Sequence, residues 1–83
     1  GGDEFTLLLP HLTCEAARKV ASRIIEAYNR LQLEPTHLSI GGALYLHMTD
    51  NVDQNLDDLV RRSDRALFFA KHSLGGNGAH FDE

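Results

Sequence analysis

Two carboxylates stand side by side at the start of the chain. Asp3 and Glu4 follow a glycine pair, Gly1-Gly2, so hard oxygen donors sit next to backbone that carries no side chain. Carboxylate oxygens suit Mg²⁺, which is usually held by one or two carboxylates together with the phosphate oxygens of a substrate. Glycines let such oxygens approach the backbone N–H groups closely. A matching cation stands far along the sequence at Lys71, whose ammonium can bind phosphate as a compact point charge. Both features also have a simpler use. A Gly-Gly-Asp stretch makes an ordinary tight turn, and a lysine in the last turn of a helix interacts favourably with the helix dipole.

Other chemistries have no readable pattern. The five histidines, His11, His37, His47, His72 and His80, show no H-x-x-x-H spacing, and the single cysteine forms no C-x-x-C, so no transition-metal site is indicated. They read as loop and strand-edge residues. One cysteine excludes an internal disulfide and fits a reducing compartment. Cys14 reads as a helix-start residue, and no Ser-His-Asp order can be picked out.

The elements that must position the candidates follow from periodicity. Phe5–Leu9 is a short apolar run closed by Pro10, as a buried strand would be. Thr13 is a good N-cap. Ala17, Val20, Ala21, Ile24, Ile25, Tyr28 and Leu31 then form one apolar stripe on a helix of about five turns. Glu15–Lys19 and Glu26–Arg30 are favourable i,i+4 pairs on its solvated face. After the Glu34-Pro35-Thr36 loop, His37–His47 alternates with period two and predicts a strand. Gly41-Gly42 inside it marks a bulge or a close approach by another backbone or a ligand.

A second helix is expected from about Asn55, with Leu56, Leu59, Val60, Ser63, Leu67, Ala70 and Leu74 facing inward. Asp57 and Asp58 would occupy its first turn, paired with Arg61 and Arg62, and Lys71 and His72 its last. Gly75 is a natural stop, and Ala79-His80-Phe81 can add a final strand. The order β-α-β-α-β predicts an α/β fold, an α+β sandwich with helices packed on a sheet.

Composition bounds the function. The chain has 83 residues, 42% hydrophobic and 24% charged, which is one small soluble globular domain or part of one. A net charge of −4 argues against a general nucleic-acid binder. No apolar run approaches the roughly 18 residues that a membrane span needs, so no membrane contact by this segment is expected. The opening glycines are neither a signal peptide nor a transit peptide. The missing Met start suggests a piece of a longer protein, and a core of this size is marginal alone.

Gly1-Gly2-Asp3-Glu4-Phe5 resembles the signature pentapeptide of the GGDEF domain, the catalytic domain of diguanylate cyclases. Four further stretches agree in order. Thr6-Leu7-Leu8-Leu9-Pro10 is similar to the family's strand after the motif. Ser39-Ile40-Gly41 with Ala43 resembles its S-I-G-x-A strand, and Ser63–Lys71 its A-D-x-A-L-Y-x-A-K helix. Gly75 and Asn77 resemble its G-R-N turn.

The resemblance implies a partial nucleotidyl-cyclase-like palm. Residues 1–83 would be the C-terminal portion of a domain about twice as long. Upstream would lie a metal-binding aspartate, the guanine-binding residues and the place where an inhibitory R-x-x-D motif can occur. The implied reaction condenses two GTP, one on each subunit of a homodimer, to cyclic di-GMP with release of pyrophosphate. It implies Mg²⁺ or Mn²⁺ held by Asp3 and Glu4, with Glu4 also assisting deprotonation of the 3′-hydroxyl. Gly1, Gly2 and Lys71 would bind the GTP phosphates. A fused sensory or regulatory domain, a cytoplasmic location and a membrane-anchored parent in some members are also implied. The 83 residues alone are expected to be inactive.

Four departures stand out. One extra residue precedes the glycine turn, and Gly76 stands where the family has a phosphate-binding arginine. Phe68 replaces the usual tyrosine, and Gly42 replaces an aliphatic residue and is expected to soften the strand. The intact Asp3-Glu4 pair favours catalysis. Gly76 favours the alternative, a non-catalytic module that binds GTP or a protein partner and regulates a neighbouring domain.

Overall fold

Helix α1 (Cys14–Arg30) begins where its cap is. Thr13 keeps an extended backbone, and its hydroxyl accepts a hydrogen bond from the Ala16 N–H at 3.1 Å. Glu15–Lys19 and Glu26–Arg30 pair along the exposed face, each at 3.9 Å. The helix stops because Gln32 takes a φ of 51°, the left-handed conformation that ends helices. Leu31 therefore lies beyond the last turn and is exposed, not part of the apolar stripe. Ala17 and Ala21 are buried, whereas Ile24 is exposed.

The computed structural model describes residues 13–33, 37–73 and 78–82. The strand expected at Phe5–Leu9 and the stop at Gly75 lie outside them. Among the described residues the order is α1, β1 (Ser39–Ala43), α2 (Val52–Ser73) and β2 (Gly78–Asp82). The final strand is thus present and slightly longer than Ala79–Phe81. The two strands are parallel, in register from Ser39↔Gly78 to Ala43↔Asp82, with α2 as the crossover between them. This is the α/β arrangement expected from the element order.

The pleat sorts the residues by face. Gly41 and His80 are register partners, and both meet α2. His80 stacks on Phe69 at a centroid distance of 4.1 Å, and a Cβ on Gly41 would run into the backbone of Leu67. Gly42 and Phe81 are the next pair and point the other way. The Arg18 guanidinium of α1 lies over the Phe81 ring, 5.8 Å from its centroid. The sheet is a middle layer, with α2 on one face and α1 on the other. Gly41-Gly42 marks two close approaches: one by a helix backbone, one by a neighbouring ring.

Two element boundaries need correction. The alternating strand does not run from His37 to His47 but only over Ser39–Ala43. The pairing with β2 ends at Ala43↔Asp82, and beyond it several backbone groups turn to α2. The Leu44 carbonyl accepts from the Arg62 guanidinium at 2.6 Å, and the Met48 and Thr49 N–H groups each donate to Asn55 Oδ1 at 3.2 Å. Helix α2 starts at Val52, not near Asn55, because Asn51 is the cap: its Oδ1 accepts from the Gln54 N–H at 3.2 Å. The first turn therefore holds Asp53, and Asp57 and Asp58 fall in the second.

The inner face of α2 is also rotated from the one expected. Leu56 and Val60 are exposed, while Asn55, Asp58, Ala66 and Ala70 are buried. Arg61 donates to Asp58 at 2.9 Å, not to Asp57.

The ring over Gly42 generates a prediction. Phe81 fills the space that a side chain at position 42 would need, so the glycine accommodates a neighbouring ring. Gly42→Val, which restores an aliphatic side chain, should lower the unfolding free energy in urea by about 1–3 kcal/mol through overpacking. Combining it with Phe81→Ala should recover part of the loss; an unchanged midpoint for Gly42→Val would show that the ring moves aside freely.

Candidate functional site

Lys71 is the candidate that the described residues contain. It lies in the last turn of α2 beside His72 and is exposed. Three packing features set that turn in place. Ala66 and Ala70 on the inner side are 1% and 0% exposed, so the helix lies flat on the sheet. Phe69 reaches β2 through its ring contact with His80. Phe68 and His72 pack on each other along the helix at 4.2 Å, a contact in which the ring of Phe68 suffices without a hydroxyl. Because α2 runs back between two parallel strands, its end lies at the edge where both strands begin, near Ser39 and Gly78. The Gly78 N–H donates to the Leu38 carbonyl there, at 3.3 Å.

Gly1, Gly2, Asp3 and Glu4 lie outside the described residues, as does Gly76. Among the described residues no group of three or more His, Cys, Asp or Glu side chains could hold a metal ion. The histidines there do other work. His72 and His80 pack against phenylalanines, and His47 lies 3.5 Å from Asp50. No helix among the described residues is long and apolar enough to cross a membrane.

The other half of α2 carries a polar cluster that periodicity alone did not bring out. Asn55 is fully buried and saturated. Its Oδ1 accepts from Met48 and Thr49, and its Nδ2 donates to the Thr49 carbonyl at 2.8 Å and the Tyr45 hydroxyl at 3.2 Å. One turn on, Asp58 accepts from Arg62 Nε at 2.8 Å and from Arg61 at 2.9 Å. Arg62 in turn holds the Leu44 carbonyl. Three polar residues at i, i+3 and i+7 on the face that also carries Leu59 and Ala66 were the available signal. Their chemistry here is structural: they fasten the 44–51 loop to α2. A further ion pair, Arg65 to Asp82 at 2.7 Å, ties α2 to β2.

The Asp58 carboxyl is held below its ordinary value of 3.8, chiefly by the Arg62 hydrogen bond, against the opposing effect of burial and with further help from Arg61. A depressed carboxylate pKa means that the folded state favours the ionised form. Its stabilising contribution is present above the ordinary value and is lost as pH falls through the lower folded value. Stability should therefore decline in acid below about pH 4. Asp58→Asn should be less stable at neutral pH and show a flatter acid limb in denaturation midpoints measured against pH. An acid limb unchanged by that substitution would exclude Asp58 as its source.

The comparisons with known proteins agree with this arrangement. The family model described as "Diguanylate cyclase, GGDEF domain" matches residues 1–77. A protein of Escherichia coli (strain K12), named "Probable diguanylate cyclase DgcE", is 34% identical over 80 residues, covering 94% of this chain and 7% of that protein. The chain thus spans a small part of the relative it matches. No solved structure matches significantly. A match whose bounds take in α1, β1 and α2 establishes the relationship: the chain belongs to the GGDEF domain family of diguanylate cyclases.

Proposed function

We propose that this chain is the C-terminal portion of a diguanylate cyclase domain that condenses two GTP into cyclic di-GMP. Each 3′-hydroxyl attacks the α-phosphate of the other nucleotide, and pyrophosphate leaves. The reading is carried by one observation: the family match extends from residue 1 to residue 77 and so takes in Asp3, Glu4 and Lys71 together.

Asp3 and Glu4 form a donor set of adjacent carboxylates, which fits a hard divalent cation such as Mg²⁺ or Mn²⁺. Such an ion, when bound, neutralises charge that develops on the phosphoryl oxygens. The protein's own groups do the rest. Gly1 and Gly2 allow phosphate oxygens close to the backbone, Glu4 assists deprotonation of the 3′-hydroxyl, and Lys71 binds the β- and γ-phosphates. In-line attack depends on positioning more than on covalent chemistry. The reading entails a homodimer, a cytoplasmic supply of GTP and a sensory or regulatory domain in the same polypeptide.

Gly76 supports a second reading, a GTP- or partner-binding module without turnover, because the arginine expected there is absent. The deciding experiment incubates the longest native polypeptide containing this segment with GTP and Mg²⁺ and assays cyclic di-GMP by mass spectrometry. Under the cyclase reading, Asp3→Ala and Glu4→Ala each lower product formation by about 10²-fold or more. Turnover that survives both changes would remove these residues from the site. Bound but unconverted GTP would favour the module. Gly76→Arg adds one charge-assisted hydrogen bond of roughly 1.5–3 kcal/mol and should tighten GTP by about 10- to 100-fold; unchanged affinity would show that the turn does not reach the phosphates.

A further inference from the structure

We infer that Gly41 is a positioning residue for Lys71. The inference rests on the phosphate-binding reading of Lys71 and concerns a residue that makes no contact with nucleotide in that reading. A Cβ at Gly41 would overlap the N, Cα and Cβ atoms of Leu67, so α2 lies on β1 at a distance that only glycine permits. Backbone atoms, not a flexible side-chain tip, stand in the way, and they cannot swing aside. Leu67 is four residues before Lys71, about 6 Å along the axis. The pinned turn is therefore the one that leads into the cation.

A second contact fixes the same segment from the other strand. Phe69 packs on His80, the register partner of Gly41, so one row of the sheet holds α2 at two points. Lys71 itself is exposed, and its side chain lacks burial to orient it. The placement of its backbone is what the fold controls. Displacing the Leu67 turn by about 1 Å carries the ammonium with it, and misplacement on that scale can lower the efficiency of a positioned group by as much as about 10²-fold.

A double-mutant cycle on the native-length protein tests this. Dissociation constants for a non-hydrolysable GTP analogue with Mg²⁺, together with kcat and KM for GTP, are measured for wild type, Gly41→Ala, Lys71→Ala and the double variant. Gly41→Ala should weaken analogue binding by about 5- to 10-fold and raise KM more than it lowers kcat. In the Lys71→Ala background the same change should shift binding less than about twofold, because its route of action is gone. An equal weakening in both backgrounds would overturn the inference, as would a loss of thermal stability with unchanged affinity. Should Gly41→Ala fail to fold, Phe69→Leu, which loosens the same turn without intruding on it, must show the same dependence on Lys71. Failure of the underlying reading looks different: Lys71→Ala would then leave analogue binding unchanged by itself.

Discussion

The contact on which the rest of the structure depends is the bare backbone of Gly41 against the backbone of Leu67. Helix α2 reaches both strands, and its closest approach to β1 is set by a missing Cβ. That approach brings Ala66 and Ala70 down to complete burial and places the Phe69 ring on His80. Dispersion and apolar burial both fall off steeply with separation, so a helix held away from the sheet by one carbon atom would lose contact along much of its length. Gly42 is a different case. It faces the other layer, and a neighbouring ring occupies its space.

The described core is thin. Its buried apolar side chains are alanines, and its largest fully buried side chain is Asn55. Small side chains permit close layers but supply little apolar area, so polar contacts with strict geometry carry a larger share of the specificity. Asn55 satisfies the Met48 and Thr49 backbone in the loop before α2, and no buried side-chain nitrogen or oxygen among the described residues lacks a partner. Saturation matters here, since each buried polar group left unpaired costs about 1–3 kcal/mol.

What could be read in advance divides along the same physical line. Thr13, the two ion pairs of α1, the closing strand and the unusual glycine pair announced themselves, because caps, i,i+4 charges and glycines act locally. The end of β1 was hidden. Leu44 and Leu46 continue the alternation, but the pairing with β2 ends at Ala43↔Asp82, and the Leu44 carbonyl turns to Arg62 of a distant helix. The inner face of α2 was misplaced because Asn55 and Asp58 are polar by type and buried by partnership, which a hydrophobic stripe does not register. Of the candidate site, Lys71 was legible as a cation at a helix end, and its environment was not. Gly1–Glu4 rest on motif and family, outside the described residues.

The parallel pairing of β1 and β2 also bears on how the chain finds this arrangement. Ser39 and Gly78 can meet only after the entire intervening segment has doubled back. For a flexible loop, closure draws on chain entropy. Here most of that segment is the 22-residue α2, a rod about 33 Å long once helical. Helix formation, which is local and fast, converts a long floppy connection into a stiff one with short ends. A helix formed first would leave the strands fewer loop residues to close before they pair. The helix that carries the candidate cation therefore also acts as the spacer through which the sheet closes.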